Sequence, residues 1–297
     1  MSGAGRLQNM NDYLISVLLG VVEGLTEFLP ISSTAHLRVV EALLHLDLRD
    51  SFWKMYTIVI QLGAILALPV YFRGTIAKFL STFPKGARGD RTVFTHPLSL
   101  TLIAFVITAI PTWLLKKQIG QNLESLAVMG WAILLGGVVM WIVDAVFSRP
   151  RTASMEEMSL VQAAWIGAAQ ILSAVFPGTS RSMCTIAAGQ TAGLSRSAAL
   201  EFSFFLSMPT MAVATSYDLL KAILPNRDAT EAGLAPLAMN GHQWVVLGIG
   251  FVVSFIVALG VVAWFMRWVR ARGFVPFAVY RIVLGIGLLT AVALGWI

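Results

Sequence analysis

Five stretches of this chain run without a charge for close to the length that crosses a bilayer: residues 55–72, 98–115, 125–143, 202–217 and 243–266. A sixth, 275–295, is interrupted only by Arg281. A membrane's hydrocarbon core takes about 20 helical residues. Backbone immersed in it must satisfy its own polar groups, which a helix does within one segment. Charged residues make up 12% of the chain, about half the share in soluble domains. The pattern predicts an all-α fold, a polytopic membrane helical bundle, with residues 1–297 forming one integral membrane domain.

Two more segments, 12–45 and 158–194, are apolar enough to enter the membrane, but each is broken midway by proline, glycine or a run of hydroxyls. The first break reads Glu23-Gly-Leu-Thr-Glu27-Phe-Leu-Pro30-Ile-Ser32-Ser33-Thr34-Ala-His36. The second reads Gln170-Ile-Leu-Ser173-Ala-Val-Phe-Pro177-Gly178-Thr179-Ser180-Arg181-Ser182. An offset of 147 positions superposes Glu23 on Gln170, Pro30 on Pro177, Ser33 on Ser180 and Thr34 on Arg181.

Loop charge supplies the orientation, because basic residues collect on the cytoplasmic side. The 73–97 loop carries Arg73, Lys78, Lys85, Arg88 and Arg91; the 148–158 loop carries Arg149 and Arg151; the 267–272 loop carries Arg267, Arg270 and Arg272. The poorer 116–124 loop (Lys116, Lys117) and 221–243 loop (Lys221, Arg227) fall outside. The halves 12–147 and 159–296 then run in opposite directions, an inverted-topology repeat. Each holds a broken helix pair followed by three spans. Pro30 and Pro177 each remove a backbone donor, and the backbone they expose is tolerable only where it lines a protein cavity. The broken pairs are therefore expected to re-enter rather than cross, giving six spans plus two re-entrant helix pairs.

The net charge of +6 and the pI near 9.8 could suggest nucleic acid. The basic residues lie in short loops with no stripe interleaved with aromatics, so positive-inside topology accounts for them and nucleic-acid binding is excluded. Cys184 stands alone, which leaves no disulfide framework or cysteine metal cluster. No small-residue cleavage site follows the first apolar run, so no removed signal peptide is expected.

Ionisable groups within such segments are costly and mark sites by default. Glu23 and Glu27 are i, i+4 and share one helix face. Two carboxylates there need a shared cation, a shared proton or a basic partner. A divalent cation, Mg²⁺ or Ca²⁺, suits oxygen ligands and bridges readily to phosphate. Ser32, Ser33 and Thr34 follow Pro30 and suit a helix start. His36, three residues past Ser33, lies on the same face and is a candidate base for a serine nucleophile. In the second break Gly178 allows close backbone approach. Thr179, Ser180 and Ser182 offer donors beside a helix start, and Arg181 adds a planar fork that fits phosphate oxygens. Gln61, Glu201 and Arg281 are weaker candidates, with Arg281 a packing or cavity residue and Lys54 a partner for Glu201.

At these residues the chain resembles the bacterial undecaprenyl-diphosphate phosphatase family of the bacitracin-resistance type. The resemblance covers most of the chain, through Val-Val-Glu23-Gly-Leu-Thr-Glu27-Phe-Leu-Pro-Ile-Ser-Ser-Thr, Val59-Ile-Gln61-Leu-Gly, Pro177-Gly-Thr-Ser-Arg-Ser, Glu201-Phe-Ser-Phe and Pro276-Phe-Ala-Val-Tyr-Arg281. Ala35 and Met183 stand where the family often has glycine. The resemblance implies a multi-pass enzyme of the inner membrane, its site open to the periplasm. Such an enzyme removes the terminal phosphate from undecaprenyl diphosphate to recycle the carrier lipid of wall synthesis, with a divalent cation as cofactor. Carried over by motif, Glu23 and Glu27 would serve the metal or proton transfer, Ser33 would be the nucleophile candidate, with a metal-bound water as the alternative attacking group, and His36 its acid/base partner. Arg181 with Ser180 would clamp the diphosphate. The partners expected are undecaprenyl diphosphate and membrane lipid, and a homodimer is compatible with the sequence. The rival reading is a transporter or flippase of the same lipid, since inverted repeats with broken helices also build carriers.

Overall fold

The computed structural model describes residues 3–46, 51–115, 125–223 and 239–295. Lys116, Lys117, Lys221 and Arg227, which loop charge places outside, lie beyond the described side chains. Among the described residues there are α-helices, one 3₁₀ turn at Met155–Glu157 and no strand. The helices are α1 Gly3–Thr26, α2 Ser33–Leu43, α3 Ser51–Tyr71, α4 Arg73–Thr82, α5 Pro97–Leu114 and α6 Leu126–Val146. They continue with α7 Leu160–Val175, α8 Arg181–Thr191, α9 Arg196–Ile223, α10 Gly241–Arg272 and α11 Val275–Ala293. Six are long and apolar enough to cross a membrane: α3, α5, α6, α9 (over Arg196–Leu220), α10 and α11. These are the six runs read from the sequence.

Local chemistry sets several helix starts. Ser159 and Asn240 head capping boxes, their side chains accepting from the backbone of Gln162 and Gln243 while those glutamines accept in return. Ser125 caps α6 by accepting from Val128 N. Pro97 opens α5, where its missing donor costs nothing.

Three helices form a close-packed group. α1 and α10 run parallel in a register of 230: His242 bonds Asp12 and Tyr13, and Ser16 Oγ donates to Val246 O at 2.7 Å. A Cβ on Gly20 would strike Gly250 O at 2.9 Å, and one on Gly24 would strike Ser254 O at 2.7 Å. Small residues every fourth position let the backbones touch, the packing that joins helices where lipid supplies no hydrophobic drive. α3 joins through Tyr56, which donates to Ser16 O at 2.7 Å, and through Ser254 Oγ, which donates to Ile60 O at 2.8 Å. Elsewhere α6 packs on α11 and α5 on α7. The largest core cluster gathers the phenylalanines of α9 and α10 with Phe28 and Phe72.

α2 and α8 repeat one another in detail. Each has 11 residues. Each starts after a serine in the left-handed region, Ser32 at φ 75° and Ser180 at φ 70°, and ends before another such residue, His45 at φ 52° and Gly193 at φ 87°. Leu44, His45 and Leu46 donate to Val40, Ala42 and Glu41; Ala192, Gly193 and Leu194 donate to Ala188, Gln190 and Gly189. This register is 148, one more than the sequence offset. Two steps separate Pro30 from its cap and three separate Pro177 from its own. The helical counterpart of Arg181 is therefore Ser33, not Thr34.

Candidate active site

The chain between α1 and α2 meets the chain between α7 and α8. Arg281 joins them. Its side chain is fully buried, and its guanidinium donates to five carbonyls: Pro30 at 3.0 Å, Thr179 at 3.0 Å, Gly178 at 3.4 Å, and Ala132 and Ile133 of α6 at 3.0 and 3.3 Å. Carbonyls stranded at chain breaks need donors, and a planar guanidinium with five N–H groups can serve several at once. A Cβ on Gly136 would collide with that guanidinium. Gly178, at φ +91°, brings the second break against Met129, whose backbone a Cβ would meet at 2.8 Å. Ser182 Oγ adds a bond to Leu29 O at 3.0 Å across the junction.

Beside the junction lies a cavity of about 530 Å³. Both breaks contribute: Glu27, Ser32, Ser33 and Thr34 from one, Pro177, Gly178, Ser180 and Arg181 from the other. Glu27 sits between two partners. Ser33 Oγ donates to its Oε2 at 2.5 Å, and Arg181 Nη2 bonds its Oε1. The serine hydroxyl thus rests on a carboxylate that an arginine holds in place. The backbone N–H groups at the starts of α2 and α8 add anion-binding character. The outer wall is apolar, with Phe105, Trp113, Met211, Val213 and Tyr217.

Glu23 lies one turn behind Glu27, fully buried, with no donor group reaching either carboxylate oxygen. An ionised carboxylate in that state is untenable without a counter-charge or a proton. Among the described residues no cluster of three His, Cys, Asp or Glu side chains exists. A cation here would therefore take Glu23 and Glu27 plus ligand or water oxygens, a set that fits a hard divalent ion.

The other expected site residues divide. Thr34 and Ser32 line the cavity. Ser180 does too, its Oγ accepting from Met183 N at 3.4 Å and lying 3.1 Å from Ser182 Oγ. Thr179 turns away, donating to Phe176 O at 2.6 Å and facing a separate apolar cavity. His36 is outside the cavity lining. Its Nδ1 bonds Ser32 O at 2.7 Å and its Nε2 bonds Tyr280 Oη at 2.7 Å. The partner that spacing suggested for Ser33 is engaged elsewhere, and Glu27 takes its place. Lys54 and Glu201 form no ion pair with each other; Lys54 lines a small pocket with Arg38 and Glu41.

Sequence reasoning passed over Gln170, Thr108, Thr112, Ser173 and Thr210, all of which line the cavity. The offset carried one usable signal, since Gln170 aligns with Glu23. Gln61, a weaker candidate, lines the cavity as well.

Fold and site together define a multi-pass helical membrane protein with a cavity at the junction of its two chain breaks. Residues 16–287 match the family described as Bacitracin resistance protein BacA, and the chain belongs to that family. It is 66% identical over 281 residues to the undecaprenyl-diphosphatase of Koribacter versatilis, covering 94% of this chain and 98% of that one. It is 41% identical over 293 residues to the protein of the same name from Novosphingobium aromaticivorans, covering 97% and 99%. It is also 39% identical over 277 residues to that of Caldanaerobacter subterraneus, covering 93% and 94%.

Proposed function

We propose that this chain is an undecaprenyl-diphosphatase of the bacterial inner membrane, releasing inorganic phosphate and leaving the monophosphate carrier for wall synthesis. The observation that carries the reading is the Ser33–Glu27–Arg181 contact in a cavity shared by both breaks. The terminal phosphate sits against Arg181, Ser180 and the α2 and α8 starts, and the prenyl chain lies along the apolar wall. Ser33 Oγ attacks the terminal phosphorus and passes its proton to Glu27. The P–O bond to the bridging oxygen breaks, and the polyprenyl phosphate leaves with that electron pair. Water then hydrolyses the phosphoserine. The leaving group is already a phosphate, so most of the catalysis is positioning and charge stabilisation. A divalent cation, Mg²⁺ or Ca²⁺, held by Glu23 and Glu27 would neutralise charge on the diphosphate oxygens.

The periplasmic setting rests on direction. α1, α3 and α10 run parallel, so their starts share one face, and the basic ends of α10 and of the 73–97 segment share the other. The basic face belongs in the cytoplasm. Re-entry is supported by length: α2 and α8, at 11 residues each, reach only about 17 Å at 1.5 Å per residue. With the matched breaks, this supports two inverted halves, 12–147 and 159–296. Membrane lipid surrounds the chain, and a homodimer is the assembly to test by light scattering. A carrier of the same lipid finds no support in the family or the relatives.

The test is phosphate release from undecaprenyl diphosphate by purified protein in detergent, with and without EDTA. Release that EDTA stops and Mg²⁺ or Ca²⁺ restores is expected. No release at any metal concentration would overturn the reading.

A further inference from the structure

The two helix starts at the cavity are held by different means. Ser180 caps α8 with its own hydroxyl. Ser32 occupies the same place before α2 and makes no side-chain cap bond. Its left-handed backbone, at φ 75° and ψ 91°, carries a strain that a serine needs surrounding contacts to sustain. The missing support comes from elsewhere. The Ser32 carbonyl accepts from His36 N at 3.3 Å and from the His36 ring at 2.7 Å. A carbonyl can only accept, so the ring proton is on Nδ1. In the neutral ring Nε2 is then an acceptor, and Tyr280 Oη donates to it at 2.7 Å. The two rings lie nearly parallel, 9° apart, with centroids at 5.7 Å. Tyr280 directly precedes Arg281, which holds the Pro30 carbonyl two residues before Ser32. Equivalent positions in the second half carry no such pair: the counterpart of His36 is Cys184.

We propose that Tyr280 is a positioning residue for the cavity serines: it locks the His36 tautomer, and His36 in turn clamps the left-handed Ser32 so that the Ser32 hydroxyl stays off the helix start and Ser33 stays aimed at Glu27. The inference rests on the phosphatase reading above for its kinetic arm only. His36 takes no proton from Ser33; it sets the backbone from which Ser33 reaches Glu27.

Three variants and a double mutant of the full chain in detergent test this. His36→Asn keeps a donor for the Ser32 carbonyl and has no Nε2. It retains kcat within roughly threefold of the native value and keeps the native pH profile, whereas His36→Ala loses roughly tenfold or more. Tyr280→Phe lowers kcat by roughly fivefold with KM unchanged, and adds nothing further in the His36→Asn background. Folded His36→Asn protein as inactive as His36→Ala would sink the idea and restore an acid/base role. So would a Tyr280→Phe loss that adds in full to His36→Asn, or native turnover in His36→Ala. Hydrogen–deuterium exchange over residues 31–37 reads the clamp without substrate. It should quicken in Tyr280→Phe and His36→Ala but not in His36→Asn, and unchanged exchange overturns the proposal. If the native chain releases no phosphate, the phosphatase reading has failed and exchange alone decides the clamp.

Discussion

Ser33 shows why residue identity was easier to read than residue partnership. The i, i+3 rule put Ser33 and His36 on one helix face. Ser33 is, however, the first residue of α2, and helical side chains lean toward the N-terminus. Ser33 therefore reaches back across the break to Glu27, while His36 leans back onto Ser32 O. Arg281 was legible as an intramembrane charge, but its task was not, because five carbonyl partners from separate segments leave no spacing in a sequence. Replacing Ser33 by alanine should cut kcat by at least about 10³-fold and abolish any phosphoserine trapped by acid quench; near-native turnover would assign the attack to water. Arg281→Met leaves five buried carbonyls without their donor. It should lower stability by about 3 kcal/mol or more, read as a fall in the detergent melting temperature. Glu23→Gln keeps the shape and removes the charge. A right-shifted Mg²⁺ or Ca²⁺ activation curve is expected, and an unchanged curve would place the ion elsewhere.

At the level of helices, the uncharged runs located six spans with ends off by at most six residues, because lipid demands length and apolarity and little else. Two errors have one cause, the reading of basic residues as loop. α4 lies within the 73–97 segment, and α10 runs on to Arg272, past Arg267 and Arg270. Basic side chains favour a helix C-terminus, and the Arg272 guanidinium sits 5.4 Å from the Trp268 ring. The α1–α10 register was also hidden, since contacts between distant helices follow from packing and not from either sequence alone. It makes a sharp prediction. Gly24→Val would drive a side chain into Ser254 O and Val257 Cβ, both 2.7 Å from the first added carbon, and should cost about 1–3 kcal/mol. Gly248, on the partner helix α10, has nothing within 4 Å of such a carbon. Gly248→Ala should leave the melting temperature unchanged, and equal losses in the two variants would refute the register.

For the molecule as a whole, the echo between the two breaks was visible because both keep a proline and a hydroxyl run. The one-residue slip was not, because the extra residue lies in irregular chain where no periodicity marks it. The proposed orientation has its own test. A cysteine placed at Arg88 should be labelled by a membrane-impermeant maleimide only after the cell is opened, and one placed at Asn240 should be labelled in intact spheroplasts; the reverse pattern would invert the topology. Arg281 carries a consequence for biogenesis. It lies 102 to 251 residues downstream of the carbonyls it binds, so it leaves the ribosome long after them. Until α11 inserts, the carbonyls at both breaks wait without that donor, and a nascent chain stopped short of α11 would hold every proposed reacting group yet have no assembled centre.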